Sequence, residues 1–217
     1  MYAIMLTKGI VMYFRKKCKI TFICHGATIY SEEMRFSDAD NYPPLSELGV
    51  SEIDAMTNYL RARGVKNDGI YTSPSVRTIQ SAMIISKAFK TEYKVLEDLK
   101  PRKNGLLNGL TLEQILKKYP KYPDILENPE NKLGDLETTS DFIARIKTSI
   151  DALVEENIGN RIIVVTHPDI IQAVICSVLN IPADRFSQIY IRTGSATQIT
   201  YFEGWESLVY SGYLPLS

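Results

Sequence analysis

Lys19-Ile-Thr-Phe-Ile-Cys-His-Gly26 is a short apolar run that ends in a histidine, and Arg161-Ile-Ile-Val-Val-Thr-His-Pro168 repeats the arrangement late in the chain. Continuous runs rich in β-branched residues read as buried strands of a parallel sheet, whose ligands gather beyond the strands' carboxyl ends. His25 and His167 are the only two histidines in the sequence. Delivered to the same edge, they are expected to face one another across one site.

Outward from these runs, Ser46 starts a helical pattern with Ile53, Met56 and Leu60 on one face and Gly64 as its C′ residue. Asp68–Thr72 reads as a strand, residues 75–89 as a helix, and Tyr93–Leu96 as a weaker strand. A Gly/Pro/Asn-rich connection, Lys100–Gly109, precedes Thr111 and Gln114, which have capping-box spacing. Pro120, Pro123, Pro129 and Gly134 make residues 119–137 read as irregular surface chain. Phe142, Ile146, Ile150 and Leu153 lie in helical register, and Pro168 suits the first position of a helix over 168–179. Gln188–Arg192, Ala196–Phe202 and Trp205–Tyr210 read as antiparallel strands, the last two joined by a Glu203-Gly204 turn. The alternation predicts a three-layer α/β/α sandwich with a mostly parallel central sheet, one domain over residues 19–217.

Residues 1–18 are mildly apolar, but their positive charges follow the apolar stretch, the reverse of a signal peptide. They read as an N-terminal extension, either an added strand or a loose segment, with Met12 as an alternative start. Lys+Arg and Asp+Glu both total 25, so net charge favours neither nucleic acid nor an anionic membrane as partner. No apolar run approaches the ~18 residues of a membrane span. Cys18, Cys24 and Cys176, odd in number and without metal-ligand spacing, fit a reduced cytoplasmic setting. A metal site is not expected, since two distant histidines without clustered carboxylates are a thin ligand supply. The aromatic tail with Trp205, Tyr210 and Tyr213 lacks the basic stripe of a nucleic-acid platform. Nothing in the sequence sets the oligomeric state.

Four pieces fall at the expected carboxyl edge: Cys24-His-Gly-Ala-Thr28, Arg35, Thr72-Ser-Pro-Ser-Val-Arg77 and Thr166-His167. Two imidazoles with a guanidinium suit a phosphate: neutral imidazole can attack phosphorus, and positive groups offset the charge on its oxygens. A cysteine-phosphatase reading fails on spacing, because the arginine needed six residues after Cys24 is Tyr30.

The ordered set Cys24-His-Gly-Ala-Thr28, Arg35, Pro44-Leu-Ser-Glu-Leu-Gly49, Ser73-Pro-Ser-Val-Arg-Thr-Ile-Gln-Ser-Ala82 and Val164-Val-Thr-His167 resembles the histidine phosphatase superfamily, the phosphoglycerate mutase-like enzymes, over about residues 19–210. The resemblance implies that His25 is the nucleophile, Arg77 a phosphate clamp and His167 a second phosphate contact. It also places Thr28, Ser31 and Arg35 around the phosphate, with Arg102 where mutases of the family bind substrate. It implies no cofactor, a small-molecule phosphate ester as partner, and a compact phosphatase rather than a longer mutase.

Three positions depart from the family's pattern. Its first arginine is Cys24 here, and a thiol cannot offer phosphate a charged fork. Its general-acid glutamate falls on Pro101, and a glycine after the second histidine is Pro168, which has no N–H. General acid–base catalysis is typically worth about 10²–10⁴ in rate, and one charged or oxyanion-type donor about 3–4 kcal/mol. Asp169 is the first candidate for a substitute acid, because the family's acid phosphatase branch carries its acid just after the second histidine. The helix dipole accounts for an aspartate in a first helical turn without any catalytic role, and is the more economical reading. The expectation is a phosphomonoester hydrolase working through phospho-His25, weak or unusual. The alternative is a pseudoenzyme that binds a phosphate or phosphometabolite with little turnover.

Overall fold

A computed structural model describes residues 4–6, 10–12, 16–38, 43–134 and 136–215. Residues 1–3, 7–9 and 13–15 of the expected N-terminal extension lie outside the described residues. In chain order the elements are β1 (Ile4–Leu6), β2 (Ile10–Met12), β3 (Lys16–Cys24), α1 (Ile29–Glu32), α2 (Glu47–Ala62), β4 (Gly69–Thr72), α3 (Val76–Phe89) and β5 (Tyr93–Val95). There follow α4 (Leu112–Lys118), α5 (Tyr122–Glu127), α6 (Thr139–Glu156), β6 (Arg161–Thr166), α7 (Pro168–Leu179), β7 (Ala196–Phe202) and β8 (Trp205–Tyr213).

β1 and β2 pair antiparallel with one another. The remaining strands form one 6-stranded sheet in the order β5-β4-β6-β3-β7-β8. The first four run parallel, while β7 pairs antiparallel with both β3 and β8. β3 and β6 are central, so both their faces are buried and neither shows polar alternation. Cys18, Ile20, Phe22 and Cys24 face α6 and α7; Ile23, with Ile163 and Val165 of β6, faces α2 and α3. Helices on both faces complete the three layers.

The helices begin where their caps dictate. Ser46 and Thr138 accept the backbone N–H groups of Gly49 and Asp141 at the starts of α2 and α6. Thr111 and Gln114 form the capping box expected for α4. α6 buries Phe142, Ile146, Ile150 and Leu153, the stripe its register predicts. Phe142 is fully buried, edge-on to Phe186 at 6.1 Å, with the Arg145 guanidinium 5.2 Å from its ring. Phe142→Ala is therefore expected to cost about 3–5 kcal/mol, read as a shift in the urea midpoint at constant slope.

Three expectations are corrected. Residues 119–137 are not simply surface chain: α5 lies within them, and Tyr122, Ile125 and Leu136 bury against Leu107 and Ile115 in a small cluster of their own. Pro123 sits in the first turn of α5, where its missing N–H breaks no bond. Gln188–Arg192 is not a strand. A 3-10 turn spans Ala183–Gln188, and Ile189 and Ile191 pack on the core cluster from irregular backbone. β3 also starts three residues before Lys19, at Lys16.

Candidate active site

The register of the two central strands brings the histidines together. Cys24 of β3 is the partner of Thr166 in β6, so the residue after each strand is a histidine at the same level. The His25 backbone N–H donates to the Thr166 carbonyl at 2.9 Å. The chain leaves β3 toward α2 on one face and leaves β6 into α7 on the other. That divergence opens a crevice at the carboxyl ends of the strands. The imidazole centroids lie 5.3 Å apart at 68°.

β4 completes the edge. Its Thr72 pairs with Val165, the Ser73 N–H reaches the Val165 carbonyl at 3.1 Å, and the hydroxyls of Ser73 and Thr166 share a 2.8 Å hydrogen bond. α3 starts immediately afterwards, with Ser75 as N-cap, so Arg77 lies in its first turn, near enough for its charge to act on both imidazoles. Arg77 is only 2% exposed, and its Nη2 donates to the Asp38 carbonyl at 3.1 Å. Among the described residues its Nε and Nη1 are buried without a partner, as are both ring nitrogens of His167. A buried polar group left unmatched costs about 1–3 kcal/mol. Donors from two elements converging in this way match the oxygens of a tetrahedral anion.

His25 has its proton placed by the backbone. Nδ1 lies 2.7 Å from the Gly26 carbonyl, which can only accept, so Nδ1 carries the hydrogen and Nε2 the free lone pair. Burial, then the positive charge of Arg77, lowers the His25 pKa to about 3 despite the opposing hydrogen bond to Gly26. Burial, Arg77 and His25 push His167 well below its ordinary value in the same sense. Both rings are therefore neutral in the folded protein at neutral pH. The unfolded chain binds protons near pH 6.5 that the folded chain refuses, so stability is complete above that value and falls as pH drops toward the folded pKa values. The expected slope is about 1.4 kcal/mol per pH unit for each histidine. His167→Ala should remove one histidine's share of the acid-limb slope in chemical denaturation followed between pH 6 and pH 4 (both roughly).

The departures from the family pattern have clear surroundings. Cys24 is fully buried in the cluster beneath α6 and α7, and burial pushes its thiol pKa well up, so it remains a protonated apolar residue. Pro101 is buried in the wall of a pocket of about 640 Å³ whose other lining includes Asp38, Lys103, Glu137 and Arg145. Pro168 is the first residue of α7, capped by His167. Asp169 follows it. Its Oδ2 accepts the Arg102 N–H at 2.7 Å and its Oδ1 the Ile170 N–H at 2.9 Å. Burial raises its pKa, opposed by those two N–H groups and by the charges of Arg77 and Arg102.

Asp169 and the Arg102 backbone are thus brought to the Arg77 side of the site. The Arg102 side chain donates from Nε to the Glu137 carbonyl at 2.8 Å, and among the described residues its Nη2 is buried without a partner. Thr28, Ser31 and Arg35 are engaged elsewhere. The hydroxyls of Thr28 and Ser31 close a reciprocal cap on α1, and Arg35 binds Glu33 and the Gly109 carbonyl. Sequence reasoning missed the groups that hold the His25 loop. Ser81 accepts the Gly26 N–H at 3.2 Å, and Glu52 accepts the Ala27 N–H at 2.8 Å. Ser81 lies four residues after Arg77, within the quoted stretch Ser73–Ala82; Glu52 looks like any surface-helix glutamate.

Among the described residues no group of three or more His, Cys, Asp or Glu is gathered as a metal site requires, and no helix is long and apolar enough to cross a membrane.

A family model of the histidine phosphatase superfamily (branch 1) matches residues 20–212. The chain belongs to that superfamily. Its relatives include a 6-phosphofructo-2-kinase/fructose-2,6-bisphosphatase of Caenorhabditis elegans, 26% identical over 81% of this chain and 37% of the relative. The chain thus spans well under half of that longer protein. Phosphoserine phosphatase 1 of Hydrogenobacter thermophilus is 24% identical over 66% of this chain and 68% of its own. Among solved structures, YhfR of Bacillus stearothermophilus superposes with a TM-score of 0.83 at 23% identity, covering 91% of this chain and 98% of that one. A likeness at that identity speaks for the histidine phosphatase fold alone.

Proposed function

We propose that the protein is a phosphomonoester hydrolase that works through a phosphohistidine on His25. The observation that carries this reading is the 5.3 Å approach of His25 and His167 beside the unpartnered, buried Nε and Nη1 of Arg77. In the first step Nε2 of His25 attacks phosphorus and the bond to the ester oxygen breaks. The leaving alcohol takes a proton from Asp169. Arg77 and His167 donate to the phosphoryl oxygens, whose charge is greatest at the transition state. In the second step water attacks the phosphohistidine, Asp169 takes back a proton, and inorganic phosphate leaves. Arg102, through Nη2, holds the remainder of the substrate.

Asp169 is the acid that remains, and a poor one, because both of its oxygens already accept backbone N–H groups that favour the ionised form. Aryl phosphates, whose leaving oxygen hardly needs a proton, should be hydrolysed at least about 10²-fold faster than alkyl ones. Turnover of an alkyl phosphate should decline as pH rises through the raised pKa of Asp169, since an acid must be protonated to act. Asp169→Asn should flatten that limb, and in a single turnover it should spare formation of the phosphohistidine from an aryl phosphate while slowing its hydrolysis. Equal rates on both ester classes would overturn this assignment.

A phosphate-binding protein with little turnover is the second reading, favoured by Cys24 and Pro101 at positions where the family carries an arginine and a glutamate. Acid-quenched mass measurement decides between them. Incubation with an aryl phosphate should add one acid-labile phosphoryl group at His25; phosphate binding with neither adduct nor turnover supports the second reading.

A further inference from the structure

We propose that Glu52 of α2 is a positioning residue for His25, tying the loop that carries the nucleophile to the turn before β7. The inference rests on the phosphohistidine reading of His25. The Glu52 carboxylate is half-buried, and among the described residues no Lys or Arg forms an ion pair with it. Its oxygens are divided between two loops instead. Oε2 accepts the Ala27 N–H at 2.8 Å, and Oε1 accepts the Thr193 hydroxyl at 3.0 Å.

Those two loops flank the nucleophile. The Gly194 N–H donates to the His25 carbonyl at 3.0 Å, and the Cys24 N–H donates to the Ser195 carbonyl at 2.9 Å. Gly194 has φ +65° and lies so close to the helix that a Cβ would sit 2.7 Å from Cβ of Glu52. One carboxylate therefore links α2 to both loops that bracket His25. The imidazole is aimed by its own backbone, because the Gly26 carbonyl that fixes Nδ1–H belongs to the peptide whose nitrogen is the Ala27 N–H held by Glu52. Rotation of that peptide would swing the carbonyl away and release the tautomer. A carboxylate suits the task because it only accepts, and its charge strengthens the bond to the peptide N–H. A merely structural tether would leave the ring's protonation pattern indifferent to Glu52.

The test compares wild type with Glu52→Ala, Glu52→Gln and Thr193→Val. With only two histidines in the chain, ¹⁵N-histidine NMR reads both rings, and His25→Ala assigns them. In Glu52→Ala the His25 ring should lose its single Nδ1–H form for a mixture. Its kcat on an aryl phosphate should fall by about 10-fold or more, in line with the cost of misplaced reactants. Competitive inhibition by inorganic phosphate should change little, because Arg77 and His167 still hold it. Glu52→Gln, which keeps an acceptor for the Ala27 N–H, should recover most of kcat. Thr193→Val, which leaves the helix untouched, should shift both readouts the same way by less.

An unchanged tautomer in a folded Glu52→Ala or Thr193→Val protein overturns the proposal. So does a loss of kcat matched by an equal loss of phosphate affinity, which marks a general structural defect. A wild type without turnover would remove the phosphohistidine reading alone, since the NMR comparison needs no catalysis.

Discussion

His25→Ala is expected to reduce aryl phosphate turnover by at least about 10³-fold and to abolish the phosphoryl adduct, because no other group can take over the attack. The thiol of Cys24 is the nearest alternative in sequence, but burial keeps it protonated, and it faces the core beneath α6 and α7. The hydroxyls of Ser73 and Thr166 are committed to each other. His167 lies across the site, but its place beside Arg77 suits holding the oxygens rather than attacking the phosphorus. Phosphate affinity should persist in the variant, since Arg77 and His167 still supply donors to it. The protein should also gain acid stability, having shed one imidazole that must stay neutral to remain buried. Steady-state kinetics, mass measurement and denaturation against pH check the three parts separately. Residual turnover within about 10-fold of wild type, with an adduct elsewhere, would reassign the nucleophile.

Gly49→Ala should destabilise the protein by about 3 kcal/mol, equivalent to roughly 6–12 °C in thermal midpoint for a chain of this size. The usual expectation has the opposite sign, because alanine in a helix is favoured over glycine by about 1 kcal/mol. Here the first turn of α2 is interlocked with the His25 loop. A Cβ on Gly49 would stand 2.0 Å from the Ala27 carbonyl oxygen, and one on Gly26 would stand 2.2 Å from the Gly49 carbonyl oxygen. These are backbone atoms, already engaged: the Ala27 carbonyl accepts from both the N–H and the hydroxyl of Ser46. Relief requires the helix and the loop to part, which moves His25 as well. Differential scanning calorimetry together with kcat should show both falling; a raised midpoint would refute the interlock.

The sequence carried more of this architecture than it carried of the site's supports. Apolar runs without polar alternation marked β3 and β6 as central, and Ser46, Thr111 and Pro168 marked helix starts, because these signals depend on a residue and its near neighbours. Residues 119–137 mislead for the same reason. Their prolines announce breaks, while the burial of Tyr122, Ile125 and Leu136 depends on Leu107 and Ile115, which periodicity within the segment cannot reveal. Gln188–Arg192 has the composition of a strand but pairs with no strand among the described residues, and composition cannot supply a hydrogen-bonding neighbour.

For the site, the sequence by itself determined which chemistry is available: two histidines at strand ends, an arginine in the first turn of a helix, and a thiol and an imino acid that can supply neither a charged fork nor a proton. Side-chain type is a property of the chain. Tertiary structure alone decided how those groups are spaced and charged. The in-register pairing of Cys24 with Thr166 makes neighbours of imidazoles far apart in the chain. Exclusion of water keeps both neutral, and a carbonyl one peptide away fixes which nitrogen of His25 is bare. Desolvation and hydrogen-bond geometry depend on everything packed around a group, so they exist only once the chain has folded.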